Sequence, residues 1–506
     1  MIQTLLIANR GEIAVRVIRA ARELGIRTVA VYAPDDARAA FVEMADEARA
    51  LAGDSPATTY LDGAAICAAA RAAGADAIHP GYGFLAESAA FARAVAAVGL
   101  TFVGPSPETM DAVGAKVAAK SLAASAGVPT IPWADGAGMT GAALAKAAGA
   151  VGFPLLVKAS AGGGGKGMRL VECEADLAEA ASLAAAEASA AFGDGRLFLE
   201  RRIDSPRHVE IQVLGDASGR VVAFPERECS IQRRHQKLVE ESPSPAVDAG
   251  LRVRLEEAAV AIASAARYSG AGTIEFLVEP SGAYFFLEVN ARLQVEHPVT
   301  EAVTGLDLVA WQLRIAGGET LPADLAGVAP RGHAIECRVT AEDASRGFLP
   351  AAGRVERFVA PAGPGIRVDS GIRTGDAISP RYDSLVAKVI AHGEDRSASI
   401  RRMAHALRET VLLGLPSNLN FLFAVIDHPA FRRGETTTGF VEDHGAALLP
   451  SGPAGDRELA AIALFETLLG PPAARGSSAG ARTSPAGEPR ERFDPWERAT
   501  DFRCGR

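Results

Sequence analysis

The sequence contains little cysteine, no excess of positive charge and no long apolar run. Its five cysteines, among 506 residues, show neither a Cys-x-x-Cys pair nor metal-ligand spacing. A disulfide framework and a zinc site are therefore not predicted, and the reducing cytoplasm is the simplest location. No apolar stretch approaches the roughly 18 residues of a transmembrane helix, and the N-terminus lacks the basic region of a signal peptide. We expect a cytoplasmic protein with no membrane partner.

The charge balance argues against a second class of partner. The formal net charge is −9, whereas a protein that works mainly on nucleic acid or on an anionic surface carries the opposite sign. Hydrophobic residues make up 48% and charged residues 22% of the chain, an ordinary globular composition. At about 150 residues per domain, the length predicts roughly three domains.

The first hundred residues alternate between strand and helix patterns, which is typical of a doubly wound parallel sheet. A turn at Asn9-Arg10-Gly11 imitates a dinucleotide-binding loop, but only one of the three required glycines is present, so we reject that site. The elements predicted here are strands at Thr4–Ala8, Thr28–Tyr32, Ala75–His79 and Thr101–Val103, and a helix at Glu12–Leu24.

Composition and pattern divide the chain into four regions. We predict domains at residues 1–113, 114–318 and 332–444, followed by a tail at residues 450–506. The third region opens with a predicted strand, His333–Val339, and contains a predicted helix, Ser397–Val411. The tail is rich in proline, glycine and serine and has the composition of a linker.

The segment from Leu287 to Val299 alternates strictly between polar and apolar residues. In an extended chain this alternation places Glu288, Asn290, Arg292, Gln294 and Glu296 on one face. Such a face suits a site that handles a metal ion, an anion and a proton together. The alternative is a half-solvated antiparallel strand, which alternates in the same way.

A predicted hairpin favours the site. Two strand-like runs flank the turn at residues 279–282, and pairing across that turn places Glu275 opposite Phe286 and on the same face as Glu288. Two carboxylates with Asn290 form a set of hard oxygen ligands of the kind that Mg²⁺ prefers. We therefore expect a metal site on this hairpin.

A glycine-rich loop lies between two predicted strands, Phe153–Lys158 and Met168–Val171. It does not match a Walker loop, because Ser160 replaces the first glycine and a strand, not a helix, follows. Bare backbone N–H groups at residues 162–167 can close over phosphates, with Lys158 and Lys166 supplying positive charge. We predict a nucleotide-phosphate loop.

With these features in place, the chain resembles the biotin carboxylases of the ATP-grasp superfamily over roughly residues 1–443. The motifs that carry the resemblance are Ile7-Ala-Asn-Arg-Gly-Glu-Ile-Ala14, His79-Pro-Gly-Tyr-Gly-Phe-Leu85, Pro206-Arg-His-Val-Glu-Ile-Gln212, Glu226-Arg-Glu-Cys-Ser-Ile-Gln-Arg-Arg-His-Gln-Lys237, Glu288–Glu301 and Glu336-Cys-Arg338. The resemblance implies an α/β fold with an N-terminal doubly wound sheet, a central ATP-grasp domain whose lid spans about residues 131–203, and a C-terminal mixed β/α domain.

The resemblance also implies site residues. Catalysis would fall to Arg292, Glu296 (as base), Lys237 and Arg338, the last also stabilising the biotin enolate. Bicarbonate would be held by Lys237, Arg292, Gln294 and the Val295 backbone, and Mg²⁺ or Mn²⁺ by Glu275, Glu288 and Asn290. ATP would be held by Lys116, Lys158, Gly162, Gly163, Gly164, Gly165, Lys166, Gly167, Glu200, Arg201, Arg202, Ile203, His208, Gln232, His235 and Leu277, together with Glu275 and Glu288.

The implied partners are a biotin carboxyl carrier protein and a carboxyltransferase subunit, since no Lys-Met pair that could carry biotin occurs in this sequence. A homodimer to which Arg16, Arg19 and Glu23 contribute stays open, because Pro364 stands where stand-alone subunits have an aromatic residue. A stand-alone subunit and a shortened α subunit are both compatible with the sequence. Two other functions also stay open: an ATP-grasp ligase of the carbamoyl-phosphate or purine-pathway type, and a non-catalytic carboxylase subunit.

Overall fold

The computed structural model describes residues 2–160, 167–449 and 459–464. The first hundred residues form a five-stranded parallel sheet in the order β3-β2-β1-β4-β5, which confirms the predicted doubly wound arrangement. Strand β3, whose sequence Glu-Ala-Arg-Ala lacks β-branched residues, was not predicted. The elements are β1 (Thr4–Ile7), α1 (Gly11–Glu23), β2 (Arg27–Tyr32), α2 (Ala40–Met44), β3 (Glu47–Ala50), α3 (Gly63–Ala72), β4 (Ala77–His79), α4 (Ala89–Ala97) and β5 (Thr101–Phe102).

A small antiparallel sheet follows, in the order β6-β9-β7-β8, with its own apolar core between the sheet and two helices. It falls inside the range expected for the lid, residues 131–203, and the glycine-rich loop connects β7 to β8. The elements are α5 (Pro107–Gly114), α6 (Lys116–Ser125), β6 (Trp133–Asp135), α7 (Gly141–Val151), β7 (Leu155–Ala159), β8 (Met168–Val171), α8 (Leu177–Phe192) and β9 (Leu197–Arg201).

The largest sheet has nine antiparallel strands, eight of them in the order β15-β14-β10-β12-β13-β16-β23-β21 and β11 beside β10. Alternating buried residues pack one face against helix α9. The elements from the first half of this sheet are β10 (Arg207–Gly215), β11 (Val221–Ala223), β12 (Arg227–Arg233), β13 (Gln236–Ser242), α9 (Ala249–Ala265), β14 (Gly270–Val278), β15 (Tyr284–Asn290), α10 (His297–Thr304) and α11 (Leu308–Ala316).

The same sheet continues into the C-terminal region, because β13 pairs with β16 across the boundary expected near residues 318–332. One apolar core accordingly contains both Val239 and Ile335. The remaining elements are β16 (His333–Thr340), β17 (Glu342–Asp343), β18 (Leu349–Pro350), β19 (Gly353–Arg354), β20 (Arg357–Val359), β21 (Ile366–Ser370), β22 (Ala377–Ile378), β23 (Leu385–Gly393), α12 (Arg396–Glu409), β24 (Val411–Leu413), α13 (Leu419–Asp427), α14 (Pro429–Arg433) and α15 (Phe440–Leu448).

Three further expectations concern the chain as a whole. Among the described residues, no helix combines the length and hydropathy needed to cross a bilayer. The four described cysteines are free thiols: Cys67, Cys173, Cys229 and Cys337. Of the predicted tail only the short helical stretch at residues 459–464 is described, so the linker prediction for residues 450–506 lies otherwise outside the described residues.

Candidate functional site

Two carboxylates face each other on the β14–β15 hairpin. Glu275 pairs directly with Glu288, so the predicted register with Glu275 opposite Phe286 is wrong, whereas the predicted shared face of the two acids is confirmed. The turn contains three residues instead of two, since the Glu279 N–H donates to the carbonyl of Ala283 at 2.8 Å. A β-bulge then adds a second extra residue, which restores the shared face.

Strand β15 ends at Asn290, so the prediction of one extended face running to Glu296 is also wrong. Residues 291–296 form a loop, and helix α10 begins at His297 with a proline in its first turn. The predicted convergence of polar side chains nevertheless occurs within this loop. Arg292 donates to Asn290 Oδ1 at 3.1 Å and to Gln294 Oε1 at 2.9 Å, and Gln294 Nε2 donates to Glu275 Oε1 at 3.0 Å.

Lys237, on β13, is the centre of the cluster. Its ammonium donates to Glu210 Oε2 at 2.6 Å, to Glu296 Oε1 at 2.7 Å and to Glu275 Oε1 at 2.8 Å, which uses all three of its donors. Burial lowers the pKa of Lys237, but these three carboxylates outweigh burial and raise that pKa well above its usual value. Lys237 therefore stays charged at neutral pH.

Glu296 is fully buried and is held by a cation at each carboxylate oxygen. Lys237 donates to Oε1, and Arg338 Nη2 on β16 donates to Oε2 at 2.8 Å. Burial raises the pKa of Glu296, but the positive charges of Lys237 and Arg338 dominate and lower it well below its usual range. The carboxylate is therefore ionised and able to accept a proton.

Arg338 is shared with a second acid. Its Nε donates to Glu240 on β13 at 2.5 Å. Burial and the negative charge of nearby Glu296 raise the pKa of Glu240 to about 7, against the lowering effect of Arg338. One guanidinium thus links two buried carboxylates, of which Glu296 is the more acidic.

The Glu275–Glu288 pair fits a divalent cation. Within the described part of the chain, no hydrogen bond or ion pair compensates Glu288, and burial together with the charge of Glu275 raises its pKa. The ligand atoms of His208, Glu210 and Glu275 also lie within 4.8 Å of one another. The Lys237 ammonium is bonded to both of these acids, so that second set already holds a cation.

Glu200, one of the residues predicted for the nucleotide, is a buried acid on β9. Glu200 forms ion pairs with Lys158 and with Lys120. Lys116 is half-buried, and its positive charge offsets part of the rise in the pKa of Glu288. Burial and the charge of Lys158 lower the pKa of His235.

The other predicted nucleotide residues are distributed over three places. Ile203 is buried while Arg201 and Arg202 are exposed, His208 and Leu277 are cross-strand partners on β10 and β14, and Gln232 lies on β12. Gly167 adopts φ +69°, a backbone conformation that favours glycine, and an added Cβ would lie 3.0 Å from the Cβ of Ala159. Gly162, Gly163, Gly164, Gly165 and Lys166 lie outside the described residues.

Glu87, Lys120, Glu210 and Glu240 contact predicted site residues but were not themselves predicted as site residues. Glu87 accepts from Arg292 Nε at 3.0 Å and from the backbone N–H of Ala291 at 3.1 Å. Lys120 follows Lys116 by one helical turn, which is the signal that could have found it. For Glu210 the signal was the alternation of polar residues along β10.

Comparison with known proteins bears on this geometry. Family models for the biotin carboxylase N-terminal domain and C-terminal domain match residues 1–110 and 336–443, and the model of the carbamoyl-phosphate synthase L chain ATP-binding domain matches residues 115–324. A biotin carboxylase from Nostoc sp. is 48% identical over 442 residues, which cover 87% of this chain and 98% of the relative. The chain belongs to the biotin carboxylase family. It is accordingly an ATP-dependent ligase that carboxylates biotin.

Two further relatives differ in architecture. The methylcrotonoyl-CoA carboxylase α subunit of Oryza sativa is 46% identical, and the match covers 88% of this chain but 61% of that subunit. A crystal structure of the biotin carboxylase domain dimer of the Hydrogenobacter thermophilus 2-oxoglutarate carboxylase, with MgADP and bicarbonate, has a TM-score of 0.86 at 43% identity and covers 89% of this chain and 100% of that one. The family thus contains both stand-alone subunits and parts of longer chains.

Proposed function

We propose that the chain performs the first half-reaction of a biotin-dependent carboxylase, using a biotinylated carrier supplied by another chain. Bicarbonate loses its proton and attacks the γ-phosphoryl group of ATP to form carboxyphosphate and ADP. Carboxyphosphate then breaks down into CO₂ and phosphate, the released phosphate takes the N1′ proton of biotin, and N1′ forms a bond to the CO₂. The observation that carries this proposal is Glu296, a buried carboxylate held between Lys237 and Arg338 in the loop that also bears Arg292 and Gln294.

Glu296 is the proposed base. Bicarbonate is a poor nucleophile until it is deprotonated, and general-base catalysis needs an ionised acceptor close to the proton. The pKa of free Glu296 is well below its usual range, which makes it a weak base. Bicarbonate would bind to Lys237, Arg292, Gln294 and the Val295 backbone. Its negative charge would then weaken the electrostatic effect of Lys237 on Glu296, which raises the pKa of Glu296 and makes it a stronger base.

The nucleotide and its metal would use the neighbouring face. Glu275, Glu288 and Asn290 would hold Mg²⁺ or Mn²⁺, which when bound neutralises charge on the phosphoryl oxygens. Lys116 and Lys158 would supply further positive charge, and the loop at residues 162–167 would close over the phosphates. Closure matters because carboxyphosphate is destroyed by water. Glu200–Ile203, His208, Gln232, His235 and Leu277 would hold the rest of the nucleotide.

Arg338 is proposed to stabilise the enolate that forms when biotin loses its N1′ proton. A fixed guanidinium near a developing oxyanion needs little reorganisation as the charge appears. Burial lowers the pKa of Arg338, but the charges of Glu240 and Glu296 raise this pKa by more than burial lowers it. The guanidinium therefore stays charged throughout the reaction.

The proposed partners are a biotin carboxyl carrier protein and a carboxyltransferase subunit, and the proposed location is the cytoplasm, where free thiols persist. A two-fold dimer is proposed to use the face lined by Arg19 and Glu23, where a cavity of about 570 Å³ opens. Arg16 borders the same cavity but is already ion-paired with Glu301 and Asp307.

The decisive experiment measures ATP cleavage by the purified chain. We expect ADP release to require bicarbonate and Mg²⁺ and to be stimulated by free biotin. If ammonia or an aminoimidazole substrate stimulates the reaction and biotin does not, the proposal is wrong and another ATP-grasp activity is indicated. Folded protein that releases no ADP under any of these conditions would indicate a non-catalytic subunit.

The variant Arg292→Ala tests the bicarbonate assignment. Arg292 contacts the loop residues that would hold the anion, so we expect carboxylation to be abolished while ATP binding is largely kept. The measurement pairs the carboxylation rate with the nucleotide dissociation constant. Unchanged carboxylation by this variant would overturn the assignment of Arg292.

A further inference from the structure

Lys388, on β23, is a fully buried cation that none of the roles above uses. It lies directly opposite Arg338 on the neighbouring antiparallel strand β16. Two positive charges opposite each other on one face of a sheet repel, and burial strengthens the repulsion. A pair of this kind therefore requires compensation from its surroundings.

Acids from three separate elements supply this compensation. Asp369 is the cross-strand partner of Lys388 on β21 and its carboxylate lies 3.9 Å from the ammonium, while Glu12, at the start of helix α1, lies at 3.3 Å. Glu336, two residues before Arg338, is buried without a hydrogen-bond partner among the described residues. The fold thus gathers distant residues around one ammonium group.

The Lys388 ammonium donates a hydrogen bond to the carbonyl oxygen of Val295 at 2.8 Å. That carbonyl belongs to the peptide group that joins Val295 to Glu296. Arg338, on the adjacent strand, donates to the carboxylate of the same Glu296. The two opposed cations consequently hold the two ends of one residue, its backbone and its carboxylate.

We propose that Lys388 is a positioning residue for the base Glu296 and for the bicarbonate-binding peptide of Val295. The loop at residues 291–296 has no strand or helix to fix it, so its peptide orientation depends on such contacts. Lys388 acts through the backbone and has no contact with the reacting atoms. This inference rests on the proposed function, because it assigns Glu296 the role of base.

A purely structural role for Lys388 is the alternative, in which the ammonium only neutralises Glu12 and Asp369. The two roles predict different effects of a second substitution, Glu12→Gln, in the Lys388→Met variant. This second substitution removes an acid that has lost its cation, so stability should be recovered. The Val295 carbonyl still lacks its hydrogen-bond donor, so a positioning role predicts no recovery of activity.

The test measures bicarbonate saturation kinetics, nucleotide affinity and thermal stability for wild type, Lys388→Met and Lys388→Met/Glu12→Gln. We expect kcat/KM for bicarbonate to fall roughly 10–100-fold in both variants, the range for one lost hydrogen bond from a charged donor. The nucleotide dissociation constant should stay within about twofold of the wild-type value, because Lys388 makes no contact with the nucleotide site. A tenfold change would require the loss of about 1.4 kcal/mol of binding free energy. The double variant should be the more stable of the two.

A matched control is Arg252→Met, which also removes a cation from a fully buried carboxylate, Glu226. Among the described residues, the Arg252 guanidinium donates only to Glu226, which is not part of the site, so this variant should lose stability and keep its kinetics. The inference is wrong if the double variant recovers kcat/KM along with stability, or if a folded Lys388→Met retains wild-type kcat/KM. If wild type shows no bicarbonate-dependent, biotin-stimulated ATP cleavage, the proposed function itself fails. If Lys388→Met does not fold, the double variant alone decides.

Discussion

Replacing Lys237 by methionine should lower the free energy of unfolding and change its dependence on pH. Methionine keeps much of the length of the side chain but removes an ammonium that donates to Glu210, Glu275 and Glu296. All three carboxylates are buried. Breaking a buried ion pair by removing one partner typically costs about 3–5 kcal/mol, because the remaining charge stays desolvated.

The sign of the pH dependence follows from the direction of each pKa. In wild type, burial raises the pKa values of Glu275 and Glu296, but Lys237 and its neighbours lower them below their usual 4.5. These two groups therefore contribute stability above about pH 4.5, and it is lost as the pH falls through their folded pKa values. Without Lys237, burial dominates, the acids take up protons on folding, and stability is lost as the pH rises above about 4.5.

The assay compares urea denaturation of wild type and Lys237→Met at about pH 5.5 and about pH 8, without nucleotide or metal. The deficit of the variant should grow with pH by about 1.4 kcal/mol per pH unit for each acid that stays protonated in the folded state. Arg252→Met, which removes the cation from one buried acid instead of three, is the control for the loss of a buried ion pair away from the site. A deficit that is the same at both pH values would refute the reasoning.

Three other substitutions test single contacts. Glu87→Gln weakens the anchor of Arg292; because Glu87 is half exposed, we expect only a few-fold rise in KM for bicarbonate, and a loss of ATP binding would contradict this role. Glu288→Gln removes an uncompensated carboxylate, so the Mg²⁺ concentration for half-maximal ATP cleavage should rise about tenfold or more; an unchanged Mg²⁺ titration would count against the metal site. Burial raises the pKa of Glu12 to about 7 although Lys388 opposes it, so the contribution of Glu12 to the free energy of unfolding falls as the pH rises from about 4.5 to about 7. Glu12→Gln should remove this one contribution, on the order of 3 kcal/mol, from the change in free energy of unfolding measured across this range, and an unchanged pH slope would exclude the assignment.

Much of the fold could be predicted because local pattern and tertiary structure agree. The parallel sheet of the first hundred residues follows from strand–helix alternation, and helix α12 was predicted within two residues of its observed ends. The shared face of Glu275 and Glu288 was also predicted. It was reached through the wrong register, since the longer turn and the bulge each add one residue, and a shift of two positions leaves the same side chains on the same face.

The conformation of the loop after Asn290 and the role of Glu240 could not be predicted, because both depend on contacts between distant segments. Alternation along residues 287–299 indicates an extended chain, but the loop after Asn290 is held by Glu87, about two hundred residues earlier in the sequence, and by Lys388, about ninety residues later. Nothing local distinguishes Glu240 from any other buried acid. Its role depends on Arg338, which a separate strand brings beside it.

The cluster owes its geometry to the continuity of the large sheet. Lys237 is on β13, while Arg338 and Lys388 are on β16 and β23, which lie beyond the boundary expected between the second and third domains. Glu296 belongs to the loop between β15 and α10, at the opposite end of the strand order, yet β13 and β16 supply the cations that hold its carboxylate and β23 supplies the donor to the Val295 carbonyl. A loop with no secondary structure can hold a base rigidly only if rigid elements contact the loop from several sides. The antiparallel pairing of β13 with β16 provides such contacts, because it fixes the spacing of Lys237 and Arg338 before any ligand binds.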